Sequence, residues 1–101
     1  MSTTYLRPKV LPSELVDQGW WQDRGKGHPP GLECLLSALH KVTLENGPYG
    51  AEYPPYSEYY KALRRRLDGQ SPAKWNDAPE RTKAEVVALG QAVEREDMGW
   101  L

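Results

Sequence analysis

The sequence predicts a small all-α domain, a single-domain bundle of about four helices joined by long Pro/Gly-rich loops. Three observations carry that expectation. Leu occurs twelve times and Ala eight while Ile and Phe are absent, so the apolar stock is made of helix formers rather than the residues strands prefer. Three segments place their apolar residues at helical spacing. Between them stand dense glycine and proline punctuation and a complete helix-start signal at Thr82. At 101 residues the chain is near the commonest domain size, and residues 1–101 are read as one helical domain.

Residues 1–12 hold Pro8 and Pro12 with little periodicity. They read as an extended arm that lays Tyr5, Leu6, Val10 and Leu11 over the core. Ser13 is placed to cap a short helix ending at Gly19, with Glu14 at its positive end and Leu15 and Val16 as its apolar stripe. Trp20 and Trp21 follow, with at least one closing the core beside Gly19. The run from Asp23 to Gly31 contains three glycines and two prolines and forms a loop.

From Leu32 to about Glu45, Leu32, Leu35, Leu36, Leu39 and Val42 or Thr43 line one face of a central helix that Asn46-Gly47-Pro48 terminates. A connection from Tyr49 to Pro55 leads to a third helix over 55–67, with Tyr56, Tyr59, Tyr60, Leu63 and Leu67 on one side and Asp68-Gly69 as its exit. The tyrosine hydroxyls put that face at the rim of the core. Residues 70–78 read as another loop.

Thr82-Lys83-Ala84-Glu85 is a capping box, in which hydroxyl and carboxylate each satisfy a free backbone amide at a helix start. Val86, Leu89, Gly90 and Val93 form the buried face of the helix that follows, and Gly90 suits a close crossing. Glu94, Arg95, Glu96 and Asp97 read as its solvated end. Acidic residues oppose the negative end of a helix, so the apolar tail 98–101 (Met98, Trp100 and Leu101) is needed to pack back and keep that end from fraying.

Gly19-Trp20-Trp21-Gln22, Cys34-Leu35-Leu36-Ser37-Ala38-Leu39 and Trp75-Asn76-Asp77-Ala78-Pro79-Glu80-Arg81-Thr82 together resemble a family of small uncharacterised bacterial and bacteriophage proteins, over roughly residues 13–95. The resemblance implies the fold and no activity.

Thirteen basic against fourteen acidic residues give a net charge of −1, which supplies no general attraction to nucleic acid or to an anionic membrane. A lone cysteine forms no internal disulfide, and the sequence holds neither a leader pattern nor an apolar run near the ~18 residues a bilayer span needs. The expectation is a cytoplasmic protein.

No catalytic constellation stands out. Cys34 and His40 fall on different faces of one helix, and Cys34 reads as a small core residue. Glu33 and His40 share a face, without further ligands at helical spacing; His28 stands alone in the loop. Asn76 and Asp77 read as turn-forming residues beside an anchoring Trp75. No catalytic residue, metal site or cofactor is assigned, and the chain reads as a non-enzyme.

The favoured function is a helical protein-interaction module that modulates a partner protein, a host factor if the chain is phage-encoded. Trp20, Trp21, Tyr49, Tyr53 and Trp100 are its candidate contact residues, because Trp and Tyr dominate binding hot spots. A second copy of the chain is a further candidate for the same surface. The alternative is a nucleic-acid-associated regulator that uses Lys61, Arg64, Arg65 and Arg66.

Overall fold

The computed structural model describes residues 8–22, 34–45 and 56–100 of the chain. Among the described residues five α-helices run in order: α1 (Pro12–Gln18), α2 (Leu35–Glu45), α3 (Tyr56–Arg66), α4 (Pro72–Asn76) and α5 (Lys83–Ala92), the last continuing into a π-helical turn, Val93–Asp97. The described residues contain no strands, and the fold is all-α. Tyr5, Leu6, Leu32, Leu101, the loop 23–31 and the connection from Tyr49 to Pro55 lie wholly or mostly outside the described residues.

Helix α1 begins two residues earlier than a Ser13 cap predicts. Leu11 occupies the cap position, Pro12 takes the first turn where its missing N–H costs nothing, and Glu14 Oε1 accepts from the Leu11 amide at 3.2 Å. Ser13 is therefore free of capping duty; it is buried and turns inward.

Cys34 stands immediately before α2. Its amide donates to Ser37 Oγ at 3.0 Å, the Ser37 amide donates to its sulfur at 3.4 Å, and its carbonyl accepts from Ala38 N. This half-buried thiol thus caps the helix and does not fill the core as expected. Leu35, Ala38, Leu39 and Val42 are buried, the i, i+3, i+4, i+7 stripe expected of a central helix.

Helix α3 buries Tyr59, Ala62 and Leu63. Tyr59 is fully enclosed and not at the rim, while Tyr56 and Tyr60 are half-buried. The helix exits as expected at Asp68-Gly69. Gly69 N donates to Arg64 O at 2.8 Å and Asp68 N to Arg65 O at 3.3 Å, with Asp68 left-handed at φ 53° and Gly69 at φ 85°.

The expected loop over 70–78 instead contains α4. Ser71 caps it through Lys74 N at 3.4 Å, and Pro72 is its first residue. Five residues are too few to show a periodicity, so only the Ser-Pro pair announced this helix.

Helix α5 starts as the capping box specifies: Glu85 N donates to Thr82 Oγ1 at 3.3 Å and Thr82 N to Glu85 Oε1 at 3.1 Å. Thr82→Ala is expected to cost about 1 kcal/mol of stability by urea denaturation. A loss under a few tenths would show that the cap does not matter here. Gly90 permits the predicted close approach, since a Cβ there would stand 3.1 Å from both Leu35 Cδ1 and Ser13 Cβ and 3.2 Å from the Tyr59 hydroxyl oxygen. Helix α5 packs on α1, α1 also packs on α2, α3 meets the π turn and α2, and α4 rests on α2.

The C-terminal end of α5 departs most from expectation. Glu94 is not solvated: it is fully buried with Val93. Met98 and Trp100 fold back into the core, and Gly99, at φ 70°, makes the turn between them.

Candidate interaction site

The clearest constructed surface lies where residues 20–22 cross α4. Asn76 is buried and spends its whole side chain there. Its Oδ1 accepts from the Trp20 indole Nε1 at 2.8 Å, while its Nδ2 donates to Trp21 O at 3.1 Å and to Asp77 Oδ1 at 3.0 Å. An indole can only donate and a carbonyl can only accept, so this network fixes which way the amide points. Gln22 closes the clasp, its Nε2 donating to Asn76 O at 2.8 Å and Ala78 O at 2.9 Å.

Trp75 and Arg81 form the adjoining wall. The Arg81 guanidinium carbon lies 4.0 Å from the Trp75 ring centroid, its Nε donates to Trp75 O at 3.0 Å, and its outer nitrogen pairs with Glu85 at 2.9 Å. The ring contact and the hydrogen bonds together hold the cation over the indole. Trp20, Trp21 and Trp75 remain half-buried, so three indoles with fixed backbones share one region with Asp77 and Arg81. Such a set offers recognition: aromatic area at little entropic cost, edged by one charge of each sign.

A second polar cluster is hidden. Glu94 accepts from Ser13 N at 3.0 Å, from Ser13 Oγ at 2.5 Å and from the Tyr59 hydroxyl at 2.6 Å, joining α1, α3 and the π turn through one carboxylate. Burial raises its pKa above the ordinary glutamate value, outweighing the bonds from Ser13 and Tyr59 that pull it down. Burial also holds the Tyr59 phenol neutral, its pKa well above the usual tyrosine value, with the adjacent Glu94 adding to the shift. Sequence reasoning missed this carboxylate although Glu94 stands four residues after Gly90 and eight after Val86, on the apolar stripe.

The predicted contact residues divide. Trp20 and Trp21 belong to the clasp, with Trp20 partly packed on the core. Trp100 is only 4 % exposed and stacks in tilted geometry on Tyr59, centroids 5.9 Å apart; it is a core residue and presents no surface to a partner. Tyr49 and Tyr53 lie outside the described residues. Asn76 and Asp77 prove architectural, as their turn chemistry suggested.

The basic face of α3 is largely engaged with its own fold. Lys61 pairs with Glu58 at 3.6 Å, Arg64 donates to Gly69 O at 3.0 Å, and Arg66 reaches Asp97 at 2.7 Å and Glu96 at 2.6 Å; Arg65 is exposed. His40 is exposed and meets Tyr56 edge to face at 6.1 Å, while Glu33 and His28 lie outside the described residues. Among the described residues no three His, Cys, Asp or Glu side chains converge as a metal ion would require, and no helix is long and apolar enough to cross a membrane.

Fold and site together define a small all-α protein fastened by a part-buried polar network beside a tryptophan-rich surface and a buried one around Glu94. The chain belongs to the family described as Family of unknown function (DUF6197), which it matches over residues 10–96. That span includes both halves of the clasp and all three members of the Glu94 cluster. No curated protein and no solved structure matches the chain.

Proposed function

We propose that this protein is a non-catalytic protein-interaction module that docks a partner through Trp21, Trp75 and their surroundings, and that it acts as a phage-encoded modulator of a host protein. The observation that carries the reading is the clasp. The Asn76 side-chain amide and the Gln22 Nε2 are spent on the Trp20 indole N–H and on backbone carbonyls of Trp21, Asn76 and Ala78, with Asp77 taking the remaining amide proton, yet Trp20, Trp21 and Trp75 stay half-exposed. Preorganised aromatics beside an arginine are the composition that binding hot spots favour, because little order remains to be imposed on docking.

Capture from a bacterial lysate tests it. The wild-type chain should retain a reproducible partner, and Trp21→Ala should weaken that retention at least about tenfold, the loss of an average hot spot of more than ~1.4 kcal/mol, while leaving the far-UV circular dichroism unchanged. The nucleic-acid reading makes the opposite forecast. It expects retention on DNA or RNA that falls steeply with salt and disappears when Lys61, Arg64, Arg65 and Arg66 become Glu. Salt-sensitive nucleic-acid retention without any protein partner would overturn the proposal.

A further inference from the structure

We propose that residues 98–100 are a latch closed over Glu94, and that ionisation of this carboxylate releases them, so that the turn after the π helix opens as pH rises.

The latch and the carboxylate share their anchors. The main-chain carbonyl of Glu94 accepts from Trp100 N at 2.7 Å, and Val93 O accepts from Met98 N at 2.9 Å. The Trp100 ring packs on Tyr59, the same residue whose hydroxyl bonds the Glu94 side chain at 2.6 Å. Met98 and Trp100 are 1 % and 4 % exposed and Glu94 is 0 % exposed, so all three are shut off from water, and lifting Trp100 bares the Tyr59 ring whose hydroxyl holds the carboxylate.

No cation compensates this charge among the described residues. The groups that bear on it are Ser13 and Glu14 of α1 and Tyr59 of α3, and Glu14 opposes a second negative charge. Of its own turn, Glu96 and Asp97 are taken by Arg66, and Arg95 points to solvent. The network accommodates a proton. Hydroxyls donate or accept, so Ser13 Oγ, 2.5 Å from Oε1, can receive the hydrogen bond of a neutral carboxyl while Ser13 N and Tyr59 still donate to Oε2.

The sign follows from linkage. With its pKa raised in the closed form above the ordinary 4.5, Glu94 stabilises closure fully below 4.5 and loses that contribution as pH rises through the raised value. Opening rehydrates the carboxylate and restores its ordinary affinity for the proton. Each pKa unit of difference therefore shifts the opening equilibrium about tenfold.

Carbon-13 NMR of the side-chain carboxyl, followed with pH in the full chain, measures this directly. In wild type Glu94 should titrate above 4.5, and Trp100→Ala should move it back toward 4.5. Exchange of the Met98 and Trp100 amides, normalised to intrinsic rates, should accelerate about tenfold per pH unit across the window in wild type and stay level in Glu94→Gln. A wild-type titration at or below 4.5 overturns the proposal even if neither variant folds. An unmoved Glu94 in Trp100→Ala, or the same exchange profile in Glu94→Gln, overturns it as well.

Discussion

Tyr59→Ala should destabilise the protein by about 3–5 kcal/mol, the largest effect expected of any single truncation here. Tyr59 heads the fully buried side chains by volume, so its removal takes away the transfer free energy of a whole ring and leaves a cavity that Leu63 and Trp100 can close only in part. It also takes one donor from Glu94 in a site that water does not reach. For a domain of this size the melting temperature should fall by roughly 20 °C. Tyr59→Phe isolates the hydroxyl, and its cost should be only about 1–2 kcal/mol. If urea denaturation gave both variants the same small loss, the placement of this ring at the centre of the core would be wrong.

Asn76→Ala should cost about 2–4 kcal/mol, because it strands the Trp20 indole N–H and the Trp21 carbonyl together. Its readout is local as well as global. Residues 20–22 lose their tether, so their amides should exchange rapidly while α5 keeps its protection. Asn76→Asp is the sharper variant. It preserves shape but sets a carboxylate beside Asp77 and opposite the Trp21 carbonyl, both of which now receive from the amide nitrogen. Its destabilisation should equal or exceed that of the Ala variant at neutral pH and shrink on acidification. A wild-type-like Asp variant would mean that the amide does not hold these two acceptors.

What could be read from the chain follows the range of the interactions concerned. Helix α5 was legible because its cap lies within four residues, and α2 because eleven residues give three turns over which a stripe repeats. Helix α4 was not, being barely more than one turn. Glu94 was misread because the company of Arg95, Glu96 and Asp97 argues for solvent more loudly than a single register position argues for the interior. Trp100 served two expectations, a tail that packs back and a surface for a partner, and burial resolves them in favour of the first.

The clasp marks the limit of local reasoning. Trp20 and Asn76 are 56 residues apart, and nothing in either segment names the other. Both segments carry the family resemblance, which hinted that each mattered without saying that they meet. Polar residues in a turn told what Asn76 does to its own backbone; only the packing of 20–22 on α4 shows that it also holds a distant indole.

The Ser13–Glu94 bond also bears on synthesis at the ribosome. Its partners are separated by 81 positions, so α1 emerges first and waits until nearly every later helix is made before its anchor appears. A helical domain normally gathers speed from neighbours close in sequence, whereas here the last tightening depends on closing a loop of 81 positions. Truncated chains that stop before position 94 should therefore remain open to proteases at α1, and chains that include that glutamate should resist them.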